Sequence, residues 1–146
     1  MIKNIFIFLL ATTFVFYIFN KHISVYQFGK KGPNVKKILI IGGTHGNEPS
    51  SSLSLYRLIY YLKQKKINPN NQITIIPLIN KTGFYTNNRY NVHFLKKYDI
   101  NRNYPNKFYI NKLLDKYIHD ADIIIDHHEG YHYHVEKKIS IGKRTS

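Results

Sequence analysis

The chain has 146 residues, a formal net charge of +14 and no cysteine, which leaves room for one domain and excludes disulfides, a thiol nucleophile and any Cys-ligated metal. Hydrophobic residues at 43% and aromatics at 15% exclude a disordered polymer. Nucleic acid is not an expected partner despite the charge: Lys far outnumbers the four arginines in company with Asn, Ile, Tyr and Phe, the bias of an A+T-rich coding sequence, and the longest basic runs, such as Lys63-Gln64-Lys65-Lys66, lack interleaved stacking aromatics.

Residues 5–19 (IFIFLLATTFVFYIF) are uncharged and lie between Lys3 and Lys21. A surface that is apolar all the way round suits lipid or a translocon better than a half-wet core, so a hydrophobic N-terminal helix is expected there. It is read as a signal-anchor or, if cleaved, a signal peptide, although 15 residues fall short of the ~20 that usually span a bilayer and no A-x-A cleavage site is present. The chain thus divides into an anchor or signal segment, 1–20, and a domain, 21–146. The expected location is a membrane, with one N-terminal pass, or outside the cell after cleavage.

Val35 to Ile41 (VKKILII) ends in a continuous apolar run closed by Gly42-Gly43, the pattern of a buried strand. A helix follows: Pro49 suits its first turn, Ser50 to Ser52 offer capping hydroxyls, and Leu55, Leu58, Ile59 and Leu62 recur at helical spacing. Gln72 to Ile79 (QITIIPLI) reads as a second strand in which Pro77, lacking a donor, marks an edge position or the end of pairing. Residues 80–105 form a long stretch expected to be irregular and functional. Asn106 to His119 reads as a second helix with Leu113, Leu114, Tyr117 and Ile118 on its apolar side, and Ala121 to Asp126 as a third strand.

Strands alternating with helices predict an α/β fold, a mainly parallel sheet flanked by helices, with functional groups beyond the carboxyl ends of the strands. The segments at those ends are Gly42-Gly43-Thr44-His45-Gly46-Asn47-Glu48 and His127-His128-Glu129-Gly130. His45 and Glu48, three apart at a glycine-rich turn entering a helix, can converge on one ion, and His128 supplies a third ligand. Two His and one Glu leave a fourth position for water, as catalytic zinc requires. His127 competes with His128, because their side chains point to opposite faces of a strand. Asp126 shares the His128 face and is a candidate partner for its ring. His132 and His134 alternate with tyrosines as in a plain strand. Asn80-Lys81-Thr82 also fits a glycosylation sequon. Taken singly, His45 satisfying a turn, Glu48 favouring a helix start and Arg102 in a surface ion pair are ordinary roles; jointly they are not.

These residues resemble the zinc carboxypeptidases and their aspartoacylase/succinylglutamate desuccinylase relatives. Gly42-Gly43-Thr44-His45-Gly46-Asn47-Glu48 is similar to that family's first metal motif and Asp126-His127-His128 to its D-x-H third-ligand motif; only this motif favours His128 over His127. Asp99-Ile100-Asn101-Arg102-Asn103-Tyr104-Pro105 is similar to its D-x-N-R-x-F-P. The match runs from about Val35 to Gly130 and implies the N-terminal half of a zinc-carboxypeptidase-like fold. It implies one zinc held by His45, Glu48 and His128, a substrate carboxylate held by Asn101 and Arg102, and a scissile carbonyl polarised by Arg89. Hydrolysis of an amide beside a free carboxylate follows, in an N-acyl amino acid or a peptide C-terminus. The residue chemistry agrees: an Arg fork grips a carboxylate through two hydrogen bonds, which Lys cannot copy.

The family's general base lies in a segment well beyond the third ligand, and 18 residues follow His128 here. Glu129 and Glu136 are the later carboxylates, and neither sits in a matching motif. The domain therefore reads as truncated, with room for a second chain to complete it. Two further classes stay open: a zinc- or carboxylate-binding remnant without turnover, and a basic, membrane-anchored interaction protein.

Overall fold

The computed structural model describes Ile5, Ile7, Phe8 and residues 22–93, 96–102 and 109–130. The hydrophobic helix expected over 5–19 falls almost wholly outside these residues, as do Asn103 to Pro105, His132, His134 and Glu136. Among the described residues no helix is long and apolar enough to cross a membrane.

The apolar run at Lys37–Gly42 forms β2, and its neighbours explain its composition. It pairs in parallel with β3 (Gln72–Ile76) on one side and β6 (Ile123–His127) on the other, with Ile40 opposite both Ile75 and Ile125. Alternate side chains enter two cores. Leu39, Ile41 and Ile76 pack with Ile110 and Leu114 of α3 (Tyr109–Asp120), while Ile75 packs with Leu55, Ile59 and Leu62 of α1 (Pro49–Gln64). A central strand covered by helices on both faces needs no polar side, hence the unbroken ILII. Leu39, Ile75 and Ile76 are at most 1% exposed, and burial of each side chain is worth roughly 1.5–3 kcal/mol.

Several expectations change. A short strand, β1 (Tyr26–Phe28), pairs antiparallel with β3, so the sheet is mixed, in the order β1-β3-β2-β6. That makes β3 an interior strand: Pro77 stands one residue past its end, where pairing has stopped. Residues 80–105 are not irregular throughout. They contain α2 (Lys81–Tyr85), a hairpin of β4 (Asn91–His93) and β5 (Lys96–Tyr98), and a 3-10 turn at Ile100–Arg102, each too short to show a periodicity. The second long helix ends one residue later than expected, its expected start at 106–108 lying outside the described residues, and the third strand starts two residues later and ends one later.

The serines of α1 are fasteners rather than caps. Ser51 Oγ donates to Glu48 O at 2.7 Å and accepts from Gly43 N at 3.1 Å, and Ser52 Oγ donates to Pro77 O at 2.7 Å. Both are buried, and their small size lets the helix start close against the ends of β2 and β3. The N-cap position falls to Glu48, which makes no side-chain capping bond.

Strand β6 is the outer strand of the described sheet, and Ile123, Ile124 and Ile125 are about half exposed, at 47%, 45% and 46%. Its apolar composition is that of a covered strand, yet among the described residues only β2 pairs with it.

Candidate metal centre

The chain leaves β2 through Gly43, whose φ of 64° is a left-handed conformation that glycine adopts without strain, and turns into the loop carrying His45 and Glu48. Both side chains are buried, at 2% and 4% exposure. His45 Nδ1 lies 2.7 Å from Glu48 Oε1. From the far end of β6, His128 places its Nδ1 2.8 Å from Glu48 Oε2. One ligand atom from each of the three residues lies within 4.8 Å of the others.

The outer nitrogen of each ring meets a second carboxylate. His45 Nε2 lies 3.2 Å from Asp99 Oδ1 and His128 Nε2 lies 2.9 Å from Asp126 Oδ2. A carboxylate behind an imidazole fixes the ring's orientation and tautomer, so both Nδ1 atoms are presented towards Glu48. Two imidazole nitrogens and one carboxylate are a donor set that suits zinc with an open position, and the residues present fit that ion. Asp126 Oδ1 also accepts from Thr44 Oγ1 at 2.8 Å, tying β6 to the loop that carries His45.

His127 points the other way. Its Nε2 lies 2.9 Å from Ser54 Oγ on α1, as strand alternation requires of a neighbour of His128. Arg89 stands at the edge of the cluster: its Nε donates to Asp99 Oδ2 at 2.9 Å and its guanidinium approaches Glu48 Oε1 at 3.8 Å. The 3-10 turn carries Asn101 and Arg102 to the Asp99 end of the site, where the Asn101 amide donates to Asp99 Oδ1 at 3.0 Å. Arg102 is exposed and Asn101 half-buried; neither is among the three residues that converge.

Two residues acquire roles that the sequence left unassigned. Asp99 joins His45 to Arg89, and its place two residues before Asn101-Arg102 was the available signal. Asn80, 0% exposed, spaces the site: its Nδ2 donates to Thr44 O at 3.2 Å and to Arg89 O at 3.0 Å, while its Oδ1 accepts from Gly83 N at 2.9 Å and Asn91 Nδ2 at 3.1 Å. This overturns the sequon reading, because an asparagine enclosed in such a network cannot be reached for glycosylation in the folded chain.

Electrostatics follow from these contacts. Burial would raise the Glu48 carboxyl, but hydrogen bonds from His128 and His45 outweigh it and hold the group below its usual range. Burial likewise opposes ionisation of Asp99, and the bond and charge of Arg89 win. The Asp126 hydrogen bond, against burial and with help from Glu48, raises His128 to about 9. A raised imidazole contributes stability that is fully present below its ordinary value of about 6.5 and disappears as pH rises through about 9. The metal-free chain is therefore expected to lose resistance to urea between pH 6.5 and 9.5 in chelator, and His128→Gln to lose much less over that interval. Parallel losses in the two proteins would refute the assignment.

The family described as the succinylglutamate desuccinylase/aspartoacylase catalytic domain matches residues 34–132. None of the curated proteins matches the chain. Among solved structures, an aspartoacylase family protein from Mesorhizobium loti aligns with a TM-score of 0.60 at 21% identity over 71% of this chain and 33% of its own. A succinylglutamate desuccinylase from a Silicibacter species aligns at 0.60 with 20% identity over 74% and 33%. A succinylglutamate desuccinylase/aspartoacylase from Rhodobacter sphaeroides aligns at 0.58 with 24% identity over 73% and 33%. These likenesses show the fold, and the chain spans about a third of the length of these relatives. With the family match covering most of its residues, the chain belongs to the succinylglutamate desuccinylase/aspartoacylase catalytic domain family.

Proposed function

We propose that this chain is a zinc-dependent hydrolase domain acting on an amide bond beside a free carboxylate, of the N-acyl amino acid deacylase or carboxypeptidase type. The observation that carries the reading is the convergence of buried His45 and Glu48 with half-buried His128, with Arg89 at its edge. Zinc, when bound, supplies a Lewis acid for the carbonyl and lowers the pKa of a water towards ~7. His45, Glu48 and His128 hold the ion, and Asp99 and Asp126 keep the two rings aimed. Asp99 takes the Nε of Arg89, which leaves the terminal guanidinium nitrogens to stabilise negative charge developing on the carbonyl oxygen. Asn101 and Arg102 bind the substrate's carboxylate, for which the planar Arg fork is suited.

One observation favours a second reading, binding without turnover. Every described carboxylate at the site, Glu48, Asp99, Asp126 and Glu129, is already hydrogen-bonded to a ring, a guanidinium or a backbone amide, so none is placed as a general base. The zinc-loaded chain is expected to hydrolyse a panel of N-acyl amino acids and to lose about 100-fold in rate when their carboxylate is methylated, each lost charge-assisted bond being worth up to about 3 kcal/mol. Release of amino acid would be followed by amine labelling. Bound zinc with no hydrolysis of any member would establish the second reading, and equal rates on blocked and free substrates would remove the carboxylate site.

A further inference from the structure

We infer that Glu129, a carboxylate to which the sequence assigns no role, is a positioning residue that locks the loop carrying His128 onto the helix behind Glu48. The inference rests on the zinc reading for its consequence and on geometry for its content. Helix α1 lacks a cap of its own: Glu48 at the N-cap position makes no side-chain capping bond, Pro49 begins the helix and no acidic residue lies in its first turn. The missing acceptor comes from 79 residues away, as Glu129 Oε2 accepts from Ser50 N at 3.1 Å. A carboxylate there satisfies an unpaired amide and complements the positive end of the helix dipole. The same residue's backbone amide donates to Glu48 Oε2 at 3.2 Å, the oxygen that also faces His128 Nδ1.

Glu129 therefore grips both ends of one short path, the start of α1 through its side chain and the Glu48 carboxylate through its main chain. A turn further along α1, the Ser54–His127 bond makes a second tie between the same two elements. His128 sits between the ties, so its position relative to Glu48 is set from both sides. The carboxylate of Glu129 is committed to a helix terminus.

The test uses the full chain with Glu129→Ala and Glu129→Gln. Amide hydrogen exchange measured in chelator reports the cap directly, and competition with a chromophoric chelator reports zinc affinity. In Glu129→Ala, exchange at Ser50 is expected to speed up and zinc affinity to fall, each by about tenfold, the usual scale for losing a cap or an orienting partner. In Glu129→Gln, whose amide oxygen still accepts from Ser50, both are expected to stay within about threefold of the original chain. Exchange at Leu55, in the buried middle of α1, stays unchanged in both, which a general loss of stability would not allow. Unaltered Ser50 exchange in Glu129→Ala would overturn the inference, as would a Gln variant that loses zinc as severely as the Ala variant. If the original chain took up no zinc, the zinc reading would fail, while Ser50 exchange would still decide the strap.

Discussion

His45→Ala is expected to abolish stoichiometric zinc binding. His45 is 2% exposed and contributes one of three converging ligand atoms. Its removal leaves Glu48 and His128, a two-ligand remnant that cannot close a zinc site. The loss also reaches beyond the ion. Without the ring, Glu48 and Asp99 lose a shared hydrogen-bond partner in a buried setting, and Arg89 keeps Asp99 but no longer has it braced from the other side. Zinc affinity should fall by more than about 100-fold, beyond the 10- to 100-fold typical of losing an orienting partner alone. Metal stoichiometry by mass spectrometry on the purified chain, with the variant beside it, checks this: about one zinc per chain in the first and none in the second. Zinc retained one to one by the variant would show that the ion sits elsewhere, and a folded original chain without zinc would remove the metal reading altogether.

Gly46→Ala is the second large effect, and its cause is steric. The Gly46 Cα faces the backbone of α2, where an added Cβ would fall inside contact distance of Gly83 and the Phe84 nitrogen. These are main-chain atoms, with no flexible side chain able to swing aside, so the loop and α2 must separate. Overpacking usually costs about 1–3 kcal/mol, and a clash with backbone belongs at or above the upper end. The seam that would open is the one bridged by Asn80 between Thr44 O and Arg89 O, so the separation also moves His45 away from Arg89. Urea unfolding should show a loss of about 3 kcal/mol or more. Gly32→Ala is the control, since the nearest atom to a Cβ there is a Val35 methyl at 3.7 Å, and it should change stability little. A Gly46 variant as stable as this control would mean that the loop has slack which the structure does not show.

The parts of this protein legible in its residues are those whose signal is local. The ILII run of β2, the helical spacing of Leu55, Ile59 and Leu62, and the turn glycines each encode a contact made within a few residues, so strand, helix and loop could be placed in order. The rule that functional groups gather beyond strand ends then singled out His45, Glu48 and the His127-His128 pair. Strand β1 escaped because three residues carry no periodicity, and the short elements of 80–105 escaped for the same reason.

What required the folded chain were contacts spanning long separations. Alternation put His127 and His128 on opposite faces and the motif resemblance favoured His128, but the physical reason lies in the register of β6 against β2, where Asp126 stands beside Ile41. Asp99 reaching His45 across 54 residues, Asn80 spacing Thr44 from Arg89 and Glu129 capping a helix 79 residues earlier are likewise products of packing. A sequence pattern repeats with the geometry of its own element, whereas two groups from different elements meet only where sheet register and helix docking bring them within hydrogen-bond reach. The residues thus named the side chains that converge, and the packing assigned the partners that hold each of them in place.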